Sequence, residues 1–311
     1  MLNFQLVQSK AFSQIVSFLA TMLLVLVIVI PLPTRAQSEP DQIESEVFIV
    51  DLHKGERLSI ESLVKNRMAY DIVLLGELHD SPPHHQARAQ LIQSLSCPNC
   101  VVVSEHLPLG QQVIFSGSLL ESLESAGFDA KGWRWPLHEP MFKAIQTQHL
   151  TLIGGNIPSK LSSDVFKRGE EVIPASLLKD LNLSSLSEDS KNKLDQDLKD
   201  GHCGQLPDTY MSSMRLIQRI KDASFAQLLK DHIPSVLIAG NGHVRKDYGV
   251  PQILAATAPN LKILSIGFIE QDDWTAESQG VLADRYDVVW VSQNTERSDP
   301  CKDFSAPHFK K

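Results

Sequence analysis

Cysteine is scarce in this chain: four in 311 residues, at Cys97, Cys100, Cys203 and Cys301. None sits near the amino-terminal apolar stretch, so a lipid-modified amino terminus is not indicated. Tyrosine is as rare, with four against eleven histidines. Basic charge is in deficit, with 29 Lys and Arg against 37 Asp and Glu and a net charge of −8. A chain of that balance lacks the cationic footprint of a nucleic-acid binder, and no nucleic-acid partner is expected.

The pair Cys97-Pro98-Asn99-Cys100 lacks the context of three sharper chemistries. A thioredoxin-type site opens a helix after a strand, but here the pair follows a helical stretch and precedes Val101-Val102-Val103. Covalent haem attachment needs a histidine after the second cysteine, where Val101 stands. A four-cysteine zinc site needs a second close pair, and Cys203 and Cys301 are far apart. An even count in an oxidising compartment suits structural disulfides, with three pairings open.

Export is expected from the amino terminus. Lys10 precedes an apolar stretch from Ile15 to Leu32, and Thr34-Arg35-Ala36 follows. These are the basic, apolar and small-residue regions of a signal peptide over 1–36. The apolar region is long and approaches a membrane span, so a retained anchor is the alternative. Residues 37–311 remain, enough for one sizeable core. The expected location is therefore outside the cytoplasm, either free or held at a membrane.

What is present is a doubled pattern. Asp71-Ile72-Val73-Leu74-Leu75 runs into Gly76-Glu77-Leu78-His79, and Ser235-Val236-Leu237-Ile238-Ala239 runs into Gly240-Asn241-Gly242-His243. Each is a β-branched-rich run ending in Gly-x-x-His, and such runs read as buried parallel strands. Further runs lie at 101–103, 150–153, 261–266 and 286–291, and 47–51 suits a short edge strand or hairpin. Helical spacing fills 84–95 and 111–148. The alternation predicts an α/β fold with a mostly parallel sheet flanked by helices. The stretch from about 160 to 232 lacks strand-like runs and carries leucines and methionines at helical spacing. It reads as an inserted helical lid subdomain, or as long crossover helices.

The strand ends carry the chemistry. Four successive strands end in Glu77 and His79, in Glu105 and His106, in Asn156, and in Asn241 and His243. Strand polarity brings such ends to one sheet edge, where open α/β sheets bind ligands. His79, Glu105 and His243 can hold a divalent metal ion, with Glu77 activating water, as in a metal-dependent hydrolase. Without metal, a Glu and His79 make a general-base pair. Trp133-Arg134-Trp135-Pro136 supplies aromatic surface, either core under a loop or a wall for a flat apolar ligand.

These motifs resemble a family. Gly76 to Gln90, Ser104-Glu105, Gly155-Asn156-Ile157-Pro158, Gly201-His202-Cys203-Gly204 and Ala239 to His243 look like the ChaN-type haem-binding uptake proteins of the Tiki superfamily. The resemblance implies an α/β core with a helical subdomain, export to the bacterial periplasm or the membrane-associated envelope, and haem binding tied to iron acquisition. It implies haem against the helical insertion, with Tyr210 or a histidine such as His202 near the iron. Tyr248 is a second candidate, and Met211, Met214 and Trp135 would supply apolar surface. A homodimer and envelope or outer-membrane iron-uptake components are the implied partners. The wider superfamily includes hydrolases, whose roles would fall on Glu77, His79, Glu105 and His243. Haem binding is the leading expectation and metal-dependent hydrolysis the alternative.

Overall fold

Both faces of the central strands are apolar, and that decides the architecture. The computed structural model describes residues 47–302 except 68, 96, 298 and 300. The expected signal or anchor at 1–36 lies outside the described residues. Eight strands form one sheet: β1 (Phe48–Asp51), β2 (Glu56–Leu58), β3 (Ile72–Leu75), β4 (Val101–Pro108), β5 (Thr151–Asn156), β6 (Ser235–Ile238), β7 (Ile263–Glu270) and β8 (Val288–Ser292). Their order is β2-β1-β8-β7-β3-β6-β4-β5, parallel from β8 to β5. The stretch at 47–51 pairs as a hairpin, β1 with β2, and β1 also pairs antiparallel with β8.

Val73 and Leu75 face one helical layer while Ile72 and Leu74 face the other. The first layer contains α1 (Ile60–Arg67), α2 (Pro82–Ser94), α3 (Leu119–Ser125) and α4 (Glu139–Thr147). The second contains α5 (Ser159–Arg168), α6 (Ala175–Leu183), α8 (Asp208–Asp231), α9 (Val250–Thr257) and α10 (Ser278–Arg285), with α7 (Glu188–Gly201) packed on α8. Two-sided burial explains the unbroken apolar runs. The helical expectation over 111–148 resolves into α3 and α4 with turns between. Gly127, at φ 89°, follows the end of α3, and Pro140 sits in the first turn of α4.

The helical run α5–α8 lies between β5 and β6. Its parts differ in role. α8 packs on β4, β5 and β6 as a crossover helix, whereas α7 touches α8 and reaches over the sheet edge. Among the described residues, no helix is long and apolar enough to cross a membrane.

The chain direction reverses at the centre of the sheet. From β3 it moves outward to β4 and β5, returns to place β6 between β3 and β4, then crosses to β7 on the far side of β3. A ligand crevice forms at such a reversal. β3 and β6 pair in register from Ile72 opposite Ser235 to Leu75 opposite Ile238. The two Gly-x-x-His motifs therefore leave the sheet side by side.

Candidate functional site

The two motifs interlock through their glycines. A Cβ on Gly76 would lie 2.2 Å from Asn241 Oδ1, and one on Gly240 would lie 2.9 Å from His79 Nε2. Each motif's glycine thus makes room for a side chain of the other. Asn241 is fixed there: its Nδ2 donates to the Phe268 carbonyl at 2.6 Å and its Oδ1 accepts from the Phe268 N–H at 3.1 Å.

Beyond this edge lies a cleft of about 810 Å³, within the range of small-molecule sites. Glu77, His79, Glu105, His138 and His243 form its floor; Trp133, Leu194, Leu198 and His202 form walls; Arg134 and Lys221 add cations.

Alternation along β4 splits the floor into two groups. The strand continues past the expected end at 103 to Pro108, so Glu105 and His106 point to opposite faces. On the α2 and α4 side, Glu77 is wholly buried at the centre of an imidazole cluster. Its Oε1 lies 2.6 Å from His79 Nδ1, 3.2 Å from His106 Nε2 and 3.6 Å from His138 Nε2. Its Oε2 meets the Arg88 guanidinium. Donor atoms of Glu77, His79, His106 and His138 all lie within 4.8 Å of one another, a set able to hold an ion.

α2 supplies the support. Pro82 and Pro83 open this helix, which starts two residues before the expected His84. His84 Nδ1 accepts from the Leu78 N–H at 3.0 Å, and His85 Nε2 donates to the His79 carbonyl at 3.1 Å. His85 Nδ1 therefore accepts from Arg88 at 2.9 Å. Burial pushes both imidazoles down to about 4, so they are neutral. His106 is held well below its ordinary value by burial and then by the Arg88 charge, and His138 shifts the same way by burial and His106.

On the α8 side, His243 is clamped between two carboxylates. Its Nδ1 meets Asp222 Oδ1 at 2.6 Å and its Nε2 meets Glu105 Oε1 at 3.2 Å. Burial alone disfavours the imidazolium, but Glu105 and Asp222 outweigh it and raise the value to about 9. Glu105 also accepts from the Gly240 N–H at 2.8 Å. Burial opposes its ionisation, yet His243 holds it well below the usual carboxylate range.

The residues expected from sequence are thus distributed unevenly. Glu77, His79, Glu105 and His243 meet at one edge, with His79 Nε2 4.0 Å from Glu105 Oε2. His243 pairs with Asp222 and stands apart from the four-donor set. His202 reaches the cleft wall. Tyr210 packs beside Phe166 at 5.1 Å, and Tyr210, Met211 and Met214 do not line the cleft. Trp135 packs on Phe128 at 5.9 Å, while Trp133 faces the site 5.2 Å from His79 and 4.3 Å from His106. Tyr248 is buried against Asp197 and beneath Arg245 but touches the cleft; Asn156 does not.

Asp222 and Arg88 were not singled out from sequence. Each had a signal: a charged residue on the apolar face of a helix. Asp222 is buried on α8 in line with Phe225, Ala226 and Leu229, and Arg88 is buried on α2 in line with Leu91 and Ile92.

A doubly wound sheet with a carboxylate–imidazole floor under an open cleft places the chain among α/β proteins with a cleft at the carboxyl edge of the sheet. The family model described as haem-binding uptake, Tiki superfamily, ChaN matches residues 63–254, and the chain belongs to that family. The solved structure of cofacial heme binding to ChaN of Campylobacter jejuni is similar, with a TM-score of 0.65 at 18% identity, covering 81% of this chain and 98% of that one. A succinoglycan biosynthesis protein aligns at a TM-score of 0.37 and 12% identity, over 76% of this chain and 91% of its own. A Bacillus cereus protein aligns at a TM-score of 0.37 and 16% identity, over 68% of this chain and 70% of its own. No curated protein matches the sequence.

Proposed function

We propose that this protein binds haem in the bacterial envelope and serves haem or iron acquisition. The cleft is the observation that carries the reading. A porphyrin needs an apolar wall, cations for two propionates, and an imidazole or phenolate for iron. Trp133, Leu194 and Leu198 offer the wall, and Arg134 and Lys221 the cations. His202, at the cleft wall, offers the imidazole, and its Nδ1 donates to the Leu198 carbonyl at 2.7 Å. Family membership supports the same ligand, and the Campylobacter jejuni relative binds haem cofacially. Two disulfides, Cys97–Cys100 and Cys203–Cys301, agree with an exported location. Envelope iron-uptake components and a second copy of the chain are the partners we propose.

Haem titration of the purified protein tests the reading. A saturable shift of the Soret band is expected, weakened at least tenfold by Trp133→Ala or His202→Ala and unaltered by Tyr210→Phe. No saturable shift at micromolar haem refutes haem binding. Loss of the shift in Tyr210→Phe alone moves haem out of the cleft and refutes that placement.

A further inference from the structure

We propose that Glu77, His79, His106 and His138 form a binding site for one transition-series divalent cation of the zinc class. The site is distinct from the His79, Glu105 and His243 trio expected from sequence, and it does not rest on the haem reading.

The first support is how the Glu77 carboxylate is divided. Arg88 occupies Oε2, which leaves Oε1 facing three imidazole nitrogens at 2.6, 3.2 and 3.6 Å. A carboxylate held on one oxygen presents the other as a monodentate ligand. Four donors about 2.1 Å from one ion stand roughly 3.4 Å apart in tetrahedral geometry. The observed set, within 4.8 Å, needs only small side-chain movement to reach it.

The second support is independent. His138 is 1% exposed, and among the described residues neither of its ring nitrogens has a hydrogen-bond partner. A buried polar group left so costs about 1–3 kcal/mol and calls for an explanation. An ion beside Nε2 supplies one.

The third is the outer layer. Ser104 Oγ lies 3.1 Å from His106 Nδ1 and fixes the ring so that Nε2 faces the cluster. Glu105 Oε2 faces His79 Nε2 and adds a second negative charge near the site. Carboxylates and hydroxyls behind ligating imidazoles are the usual orienting groups of metal centres.

The donor set selects the ion. Three imidazoles and one carboxylate suit zinc, cobalt or nickel, whereas calcium and magnesium take oxygen donors. The half-exposed His79 ring at the cleft floor gives an entry path.

The test uses the full chain stripped with a chelator, then titrated with Zn²⁺ by calorimetry and with Co²⁺ by visible absorption. One equivalent is expected to bind, and Co²⁺ should give the intense bands of a four-coordinate site. His106→Gln and His138→Gln should each weaken binding at least tenfold, with unchanged circular dichroism. His53→Gln, on the exposed β1–β2 turn, should have no effect. Absence of saturable binding of both ions by the wild-type chain overturns the proposal. So does binding that survives His138→Gln but is lost in His243→Gln, which would return the ion to the trio.

Discussion

Replacing Gly76 with alanine tests whether the two Gly-x-x-His motifs interlock. The added methyl would lie 2.2 Å from Asn241 Oδ1 and 3.0 Å from Val244 Cγ2. Asn241 cannot yield cheaply, because both ends of its carboxamide are bonded to the Phe268 backbone. Displacing it forfeits two hydrogen bonds at about 1 kcal/mol each. Residual overpacking adds about 1–3 kcal/mol, for a total of about 3–5 kcal/mol. Asn241→Ala alone loses the same two bonds and should cost about 2 kcal/mol. In the double variant those bonds are lost once, and the methyl finds space. The pair should therefore destabilise less than the sum of the singles, by about 2 kcal/mol or more. Urea denaturation of the four proteins measures this. Additivity within about 0.5 kcal/mol, or a Gly76→Ala variant as stable as wild type, refutes the interlock.

Other perturbations reach different parts of the molecule. Stability should peak near pH 6.5, where an unperturbed histidine titrates at about 6.5. Below that, the unfolded chain protonates His84 and His85 before the native state does, since both are lowered to about 4. Stability should then fall towards pH 4 by about 1.4 kcal/mol per unit for each of the two. His243 acts in the opposite sense: raised to about 9, its contribution is complete below about 6.5 and is lost as pH rises through 9. Denaturation across pH should trace this maximum, and a flat profile refutes the burial argument. Arg88→Met leaves Glu77 buried without its cation and should cost about 3–5 kcal/mol in a chemical melt. Adding Glu77→Gln should recover part of that loss, and no recovery refutes the pairing. Cys301→Ser opens a bridge spanning 98 residues and should destabilise by up to about 4.5 kcal/mol. A melt unaffected by this change refutes the tie.

The sheet was legible because burial on both faces writes itself as uninterrupted β-branched runs, visible at 71–75 and 235–239. Short amphipathic helices such as α1, α9 and α10 left too little periodicity to read. The aromatic turn shows a sharper limit. Trp133 and Trp135 stand two residues apart with the same chemistry, yet one faces the cleft and the other packs on Phe128. The backbone path between them decides that, with Arg134 at φ 51°.

The sequence alone determined that two Gly-x-x-His motifs follow two buried strands, and parallel strands must deliver their ends to one edge. Tertiary structure decided which groups work together there. Insertion of β6 between β3 and β4 set the motifs side by side, so that each glycine accommodates the other's side chain. The pleat of β4 sent Glu105 to His243 and His106 to Glu77, and α8 added Asp222 from a distant stretch. Donor sets depend on distances of a few ångströms between residues remote in sequence, and only packing fixes those.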